Sequence, residues 1–330
     1  MNSTKKVRAL GLCSGGLDSI LAALVLKEQG IVVEWITFET PFFSADKSVK
    51  ASEMTGIPIT VQQITTPYLD MLKHPPCGYG KNMNPCLDCH ALMFRLAGEV
   101  MKKKGMDFLF SGEVMGQRPM SQTRTSLRYV EKHSGFDGYI LRPLSAKKLP
   151  ETIPEKQGQV NRELLLDLSG RSRKPQIQLA AEFEITQYPV PAGGCLLTDK
   201  IYSIRLKDLF DHGDSDQETD FYLLKYGRHF RLNQAVKLVV GRAQKENEQL
   251  LKLYRPEMDF ILNISQIPGP VVLVPYGGSS EDIFLAASIC ASYSKAGKGT
   301  VADVLVRTPA GQYNIKGVAA SPDEIRHLML

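Results

Sequence analysis

The sequence predicts two domains, an α/β domain with a parallel sheet and a smaller α+β domain after it. Apolar runs of strand length alternate with helical patterns over the first 110 residues, the pattern weakens between residues 149 and 176, and a new series of elements starts near residue 202. Alternating strands and helices form βαβ units, and such units build a parallel sheet. We therefore predict that residues 1–198 form the α/β domain and residues 199–330 the α+β domain.

In the N-terminal half, short apolar runs predict the strands, and apolar residues at helical spacing followed by glycine predict the helices. The predicted strands cover residues 8–13, 32–38, 59–64 and 108–110, and the predicted helices run from residue 20 to Gly30 and over residues 45–55, 90–104 and 160–168. Ligands of a parallel sheet bind at the carboxyl ends of its strands. The loop after the first strand is therefore the first candidate site.

The C-terminal half has its own pattern of elements. After two helical patterns, apolar runs at residues 235–240, 271–274 and 301–306 predict strands, and a long helical pattern covers residues 281–295. Strands and helices do not alternate strictly here, which favours an α+β arrangement.

Composition describes an ordinary folded protein. The 330 residues are 43% hydrophobic, which is enough for a full core. The longest apolar run covers only residues 20–26, whereas a membrane-spanning helix needs about 20 residues. The six cysteines lack the context of a disulfide framework. We expect a cytoplasmic protein without a secretion signal or a membrane partner, and its net charge of +5 weakly favours an anionic partner.

A glycine-containing loop joins the first predicted strand to the first predicted helix. In such a position, backbone N–H groups and the helix dipole converge on an anion, and glycines let the chain approach a phosphate. Hydroxyl groups can donate further hydrogen bonds, and a carboxylate can hold Mg²⁺. The Walker A lysine is absent. The candidate nucleotide-binding residues are Ser14, Gly15, Gly16, Asp18 and Ser19, with Asp18 also as the Mg²⁺ ligand.

This loop resembles the S-G-G-x-D-S motif of the PP-loop ATP pyrophosphatase superfamily. The resemblance implies an adenine nucleotide alpha hydrolase-like, Rossmann-like fold, ATP and Mg²⁺ as cofactors, and cleavage of ATP between the α- and β-phosphates. Residues 111–117 and 121–123 resemble the G-E-x-x-G-Q and S-Q-T elements of tRNA 4-thiouridine synthetases. This second resemblance adds Gly112 to the nucleotide-binding residues, and the superfamily chemistry implies a catalytic role for Asp18.

Two cysteines stand one helical turn apart at the start of the helix predicted from residue 90. Cys86 and Cys89 can point two thiolates at one metal ion, and a helix N-terminus stabilises their charge. Two ligands do not complete a metal site. One completion is structural zinc, with ligands drawn from Cys77, Cys86, Cys89 and either His90 or His74.

The same cysteines carry a further family resemblance. Residues 82–89 resemble the N-P-C-x-x-C element of bacterial tRNA 2-thiouridylases, and Gly193, Gly194 and Cys195 stand where that family has its second catalytic cysteine. The resemblance implies that Cys89 and Cys195 are catalytic, and it nominates Cys195 as a third metal ligand. Cys86, Cys89 and Cys195 would then hold a [4Fe-4S] cluster whose open iron binds sulfide. A persulfide and disulfide mechanism on Cys89 and Cys195 is an alternative to the cluster, as is zinc.

Basic and aromatic residues are concentrated between residues 221 and 255. Such a mixture suits contacts to phosphates and stacking on bases, although a charge run is also typical of a solvated surface. Motifs around residues 239–247, 268–272 and 286–294 resemble the RNA-binding domain of NFACT ribosome-associated proteins. The positively charged residues of this segment are Lys225, Arg228, Arg231, Lys237, Arg242, Lys245, Lys252 and Arg255. We expect Arg228 and Arg231 to contact phosphate.

Together these features predict an ATP-dependent tRNA uridine sulfurtransferase. The uridine carbonyl oxygen would be adenylated, and sulfur from the cysteine site would then displace AMP. The expected partners are tRNA and a sulfur donor, either sulfide or a persulfide carrier. Two alternatives remain: a PP-loop synthetase that acts on a small molecule, and a non-catalytic protein that binds tRNA or the ribosome.

Overall fold

The computed structural model describes residues 6–188, 195–213, 217–265, 267–295 and 299–330. The chain forms two compact units, Met1–Cys195 and Leu196–Leu330. Within the described ranges, no helix is both long enough and apolar enough to cross a membrane.

The N-terminal unit is built around a sheet, with helices between and after its strands. The strands are β1 (Arg8–Leu12), β2 (Val32–Glu39), β3 (Ile59–Gln63), β4 (Phe108–Ser111) and β5 (Ile140–Leu141). The helices are α1 (Leu17–Glu28), α2 (Asp46–Thr55), α3 (Thr65–Lys73), α4 (Cys86–Lys103), α5 (Arg124–Ser134), α6 (Ile153–Lys156) and α7 (Lys174–Glu182).

These strands form one parallel sheet in the order β3-β2-β1-β4-β5. The direction of chain progression reverses between β1 and β4, so the crevice at their carboxyl ends is the topological switch point where α/β folds bind ligands. Buried apolar residues of α1, including Leu17, Ile20 and Leu21, pack in the core with residues of β1 and β4. The predicted parallel-sheet α/β fold is confirmed.

The C-terminal unit contains an antiparallel sheet and helices. Its helices are α8 (Lys200–Asp211), α9 (Glu218–Leu223), α10 (Gln244–Leu253), α11 (Ser280–Ser292) and α12 (Pro322–Ile325). Its strands are β6 (Arg228–Arg231), β7 (Lys237–Val240), β8 (Phe260–Ile264), β9 (Val272–Val274), β10 (Val301–Thr308) and β11 (Gly311–Val318), in the order β11-β10-β8-β9-β7-β6. Ala286, Ala287 and Cys290 of α11 lie in the core with residues of the sheet. The predicted α+β architecture is therefore confirmed.

Two predicted helices differ from the structure. The helix predicted over residues 160–168 is wrong, because only a single 3-10 turn, Arg162–Leu164, forms within this described segment. The helix predicted from residue 90 begins four residues earlier, at Cys86, directly after Pro85. Both candidate cysteines therefore lie in the first turn of α4 rather than before it.

Candidate nucleotide and cysteine sites

The phosphate loop, residues 14–19, joins β1 to α1 at the switch point of the sheet. Gly16 is the N-cap of α1 and has no side chain that could accept hydrogen bonds from the backbone N–H groups of the first turn. The first N–H groups of a helix have no partner within it, and the dipole makes this end electropositive. The loop therefore has the position and the helix N-terminus that an anion-binding loop requires, and nucleotide binding by it stays a prediction.

Two glycines allow close packing around this loop. Gly15 has φ +68, and a Cβ on it would lie 2.2 Å from the Lys47 carbonyl carbon. A Cβ on Gly112 would lie 2.3 Å from the carbonyl carbon of Asp18. Contacts this short leave no room for a side chain, so the loop after β4 rests directly on the backbone of the phosphate loop. The structure thus gives Gly112 a packing role, and its contact with nucleotide stays a prediction.

The two serines of the loop differ in their surroundings. Ser19 is buried, and its Oγ donates a 2.7 Å hydrogen bond to the Gly16 carbonyl oxygen. Ser14 is exposed, and its Oγ accepts a long, 3.4 Å hydrogen bond from the Gly16 N–H. Ser19 therefore fixes the turn, while the Ser14 hydroxyl is accessible to a ligand.

Asp18 carries the feature most suggestive of a bound cation. Its Oδ2 accepts a 3.1 Å hydrogen bond from Gln117 Nε2, whereas its Oδ1 is buried without a hydrogen-bond partner in the described part of the chain. Burial raises the pKa of this carboxyl, and the Gln117 hydrogen bond and the charges of Arg173 and Arg118 oppose that shift. A buried carboxylate oxygen that lacks a partner fits the oxygen coordination of Mg²⁺.

The first turn of α4 is held in place by Asp88. Its Oδ2 accepts a 2.9 Å hydrogen bond from the Cys77 N–H, and its Oδ1 accepts one of 2.9 Å from the Tyr129 hydroxyl. Asp88 is buried, so these bonds satisfy a charge that would otherwise be costly. The preceding loop, α4 and α5 are thereby fixed around Cys86 and Cys89.

The structure brings the predicted cysteines together. Cys86, Cys89 and Cys195 are all half-buried residues. The surrounding protein excludes water from the Cys89 thiol and raises its pKa, and the nearby Cys195 and Cys86 raise it further, while a hydrogen bond with Tyr68 lowers it. The surroundings of Cys89 therefore disfavour a thiolate, and Cys195 lies close enough to interact with this thiol.

The predicted iron–sulfur cluster is not supported by this arrangement. Among the described residues, no three His, Cys, Asp or Glu side chains are grouped as metal ligands, and this applies equally to the zinc alternative. The glycine pair predicted to precede Cys195, Gly193 and Gly194, lies outside the described residues. The persulfide alternative requires only the thiol pair of Cys89 and Cys195, which lie close enough to interact.

A buried ionic network lies between the two sites. Glu113 Oε1 lies 2.9 Å from His90 Nδ1. Glu113 Oε2 accepts hydrogen bonds from Arg142 Nε at 2.9 Å and from Ser111 Oγ at 3.1 Å. Burial alone would raise the pKa of Glu113, but the Arg142 and His90 partners hold it at about 2. Because His90 follows Cys89 on α4 and Glu113 lies in the loop after β4, the network fixes the cysteine helix relative to the phosphate loop.

This network was not predicted from the sequence. Glu113 stood there only within the segment 111–117, whose resemblance to tRNA 4-thiouridine synthetases gives it no partner. The available signal was an arginine inside the apolar segment 141–144, because a buried arginine requires a carboxylate partner.

In the C-terminal unit, carboxylates neutralise several of the predicted RNA-binding cations. Arg231 donates to both oxygens of Asp208, at 3.0 and 2.7 Å, and its side chain is only 11% exposed. Lys237 Nζ lies 3.4 Å from the same carboxylate and is buried. The Arg231 guanidinium is therefore paired with Asp208, which makes Arg231 a poorer candidate for a phosphate contact than the sequence indicated.

Two further arginines of this set are paired in a similar way. Arg255 contacts Asp220 at 3.1 Å and Asp259 at 2.8 Å, and its side chain is largely buried. Arg242 forms an ion pair with Glu246, one turn away. These ion pairs are contacts within the folded C-terminal unit. An RNA phosphate would have to compete with a carboxylate for each arginine.

The other four cations of the segment differ from these. Lys245 and Lys252 are exposed on α10, seven residues apart and so on one face of the helix. The Arg228 guanidinium lies 4.7 Å from the ring centroid of Tyr293, a cation–π contact that leaves its N–H groups able to bind phosphate. Lys225 is half-buried, and burial lowers its pKa. Arg228, Lys245 and Lys252 are therefore the best-placed candidates for phosphate contacts.

Comparison with known families assigns the class of each unit. Residues 4–153 match the family described as Thiamine biosynthesis protein (ThiI), and residues 227–329 match the family described as NFACT protein RNA binding domain. The N-terminal unit is thus a ThiI-like PP-loop domain, and the C-terminal unit contains an NFACT RNA-binding domain.

The relatives of the chain are distant. A probable tRNA sulfurtransferase of Lactobacillus gasseri is 27% identical over 155 residues, which are 44% of this chain and 36% of that protein. The tRNA-specific 2-thiouridylase MnmA 2 of Thermoanaerobacter sp. is 26% identical over 60% of this chain and 57% of its own length. A predicted subunit of tRNA methyltransferase from Methanocaldococcus jannaschii is a weak structural match, with a TM-score of 0.34 and 16% identity over 53% of this chain and 76% of that chain. The chain spans only 36% of the length of the sulfurtransferase relative.

Proposed function

We propose that this protein uses ATP to transfer sulfur to a uridine of tRNA. The proposal rests on one observation. The N-terminal unit contains both a loop suited to bind anions, beside Asp18, and two interacting thiols, Cys89 and Cys195. The ThiI-like domain, the NFACT RNA-binding domain and the two tRNA-modifying relatives support it. A synthetase for a small molecule would need neither the thiol pair nor an RNA-binding domain.

In the first step, a uridine carbonyl oxygen attacks the α-phosphorus of ATP, and pyrophosphate leaves. Adenylation is needed because a carbonyl oxygen is otherwise a poor leaving group. The N–H groups of the loop and of the first turn of α1 are oriented to bind the departing phosphates. Mg²⁺ held by Asp18 would neutralise charge on those phosphates.

In the second step, sulfur displaces AMP. A persulfide on Cys195 attacks the adenylated carbon through its terminal sulfur, and the bond from that carbon to the AMP oxygen breaks. The Cys89 thiol loses its proton and attacks the Cys195 sulfur, which forms a Cys89–Cys195 disulfide and leaves the terminal sulfur on the base. That sulfur gains two electrons and the two cysteines lose them, so a dithiol reductant must reopen the disulfide before the next turnover.

The assignment of roles follows from the surroundings of Cys89. The raised pKa of Cys89 reflects a site that disfavours negative charge. An anionic persulfide is therefore poorly stored there, whereas a thiol that reacts only at the end of the sequence is compatible with it. Cys195 accordingly receives sulfur from the donor, a persulfide carrier.

The direct test uses the full chain with unmodified tRNA, Mg²⁺, ATP and a persulfide donor. We expect one thiouridine, found by mass spectrometry of the digested tRNA, for each AMP released. Formation of ADP and phosphate would contradict the PP-loop chemistry. AMP release that depends on a small acid or amine and not on tRNA would instead identify a small-molecule synthetase.

The C-terminal unit, in this proposal, binds tRNA through phosphates, with Lys245 and Lys252 among the contacts. Each phosphate contact contributes about 0.7 to 0.9 to the slope of log K against log salt. Replacing both lysines by glutamine should therefore flatten the slope by about one to two units. A filter-binding titration of the full chain at several salt concentrations measures this.

The control is the pair Lys27→Gln and Lys103→Gln in the N-terminal unit, which removes the same number of charges from exposed positions on α1 and α4. Its slope should stay close to that of the unaltered protein. If both double variants flatten the slope equally, overall charge rather than contact at α10 determines binding, and the assignment of these lysines is wrong.

A further inference from the structure

Helix α7 lies outside both regions matched to known families, residues 4–153 and 227–329. It packs against α1, the helix that begins at the phosphate loop. Ala180 of α7 lies in the core, and Leu179 and Phe183 pack against that core. These apolar contacts account for the docking of α7, but they do not account for a polar residue buried on the same helix.

That residue is Gln176, in the first turn of α7 and only 1% exposed. Its amide contacts the Asp18 carboxyl closely enough to act as a weak hydrogen-bonding group that lowers the pKa of that carboxyl. This contact falls short of full hydrogen-bond geometry, and within the described chain neither Gln176 Nε2 nor Gln176 Oε1 has another partner. A buried amide without partners destabilises a fold, so its presence needs an explanation. A bound ligand that supplies the partners is one.

The surroundings of Gln176 indicate the chemistry of that ligand. Asp18 Oδ1, which is also buried without a partner in the described residues, belongs to the same cluster. The charges of Arg173, beside α7, and Arg118, after β4, act on the Asp18 carboxyl as well. Unpaired carboxylate and amide oxygens suit Mg²⁺, while an amide N–H together with two guanidinium groups suits phosphate. The cluster therefore matches the magnesium-bearing phosphates of a nucleotide.

We propose that Gln176 is a nucleotide-binding residue that contacts the Mg²⁺-bound phosphates of ATP, with Arg173 as a neighbouring counter-charge. The inference rests on the adenylating role proposed above, and it extends the site from the phosphate loop to a helix about 150 residues later in the chain. The amide N–H would donate to a phosphate oxygen, and the amide oxygen would be available to the cation that Asp18 would hold. AMP, which lacks the β- and γ-phosphates, makes no use of this contact.

The variant Gln176→Met tests this because methionine has a similar size and no hydrogen-bonding amide. A hydrogen bond to a charged group contributes to the free energy of binding, so its loss should weaken Mg²⁺-ATP and Mg²⁺-pyrophosphate binding about 10- to 100-fold. AMP affinity should stay unchanged. In the absence of nucleotide, the melting temperature of the variant should equal or exceed that of the unaltered protein, because an unpaired amide has been removed from the interior. Calorimetric titration and thermal melting of the full chain give these values.

The control is Gln178→Met, an exposed position on the same helix, which should change neither the affinities nor the melting temperature. A lower melting temperature for Gln176→Met with unchanged Mg²⁺-ATP affinity would show a structural role and overturn the inference. If the unaltered protein binds no Mg²⁺-ATP, the adenylating function fails and this inference fails with it. If it binds Mg²⁺-ATP through Gln176 but does not thiolate tRNA, only the proposed sulfur transfer is wrong.

Discussion

Asp18→Asn should reduce AMP formation at least about 100-fold while the protein stays folded. The substitution keeps the shape of the side chain and an oxygen that can accept from Gln117, but it removes the negative charge that would hold Mg²⁺. Losing one charged contact at a transferring phosphoryl group commonly lowers the rate by a factor of about 100 to 1,000 or more. Release of AMP and pyrophosphate, measured with radiolabelled ATP, is the appropriate assay.

The matched control is Asp46→Asn, in the first turn of α2 and exposed to solvent. It changes the same residue type at a comparable position in another helix, and its AMP formation should remain near that of the unaltered protein. An Asp18→Asn variant that retains full turnover would remove Asp18 from the catalytic residues.

Replacing Cys89 or Cys195 by serine should abolish thiouridine formation and leave adenylation intact. Each cysteine is needed for the disulfide that accompanies sulfur release, whereas attack on ATP involves neither thiol. The expected signature is ATP–pyrophosphate exchange that depends on tRNA, without any thionucleoside in the product. Isotope exchange and mass spectrometry of the same reaction mixture measure both quantities.

Cys86→Ser is the matched control, and it separates the persulfide route from the predicted cluster. Cys86 is close to Cys89, but the disulfide mechanism does not use it, so this variant should keep substantial thiolation activity. Complete loss of activity in all three serine variants, with iron present in anaerobically prepared protein, would contradict the persulfide mechanism and favour the cluster.

The phosphate loop was predictable because all of its information is local. Gly15, Gly16 and Asp18 stand between one apolar run and one helical pattern, and the structure forms the same strand, loop and helix there. The start of α4 was less predictable, since Cys86 carries no cap signal other than the preceding proline. Its position depends on tertiary hydrogen bonds such as those of Asp88.

Residues whose role depends on distant partners were misread or missed. Arg231 and Lys237 looked like surface cations, but α8 brings Asp208 to both of them from a distant part of the sequence. Gln176 lies in a segment with a weak helical pattern, and its burial follows from the packing of α7 against α1. Local sequence spacing predicts neither the Asp208 contacts nor the packing of α7 against α1, because each contact forms only in the folded chain.

The short segment around Gly112 limits where this fold tolerates insertions and deletions. Gly112 touches the backbone of Asp18, while its neighbour Glu113 belongs to the network that reaches His90. Two consecutive residues thus set the spacing between the phosphate loop and the first turn of α4. Inserting or deleting a single residue there would shift both out of alignment together, whereas the exposed loop around residues 78–81 should accept extra residues.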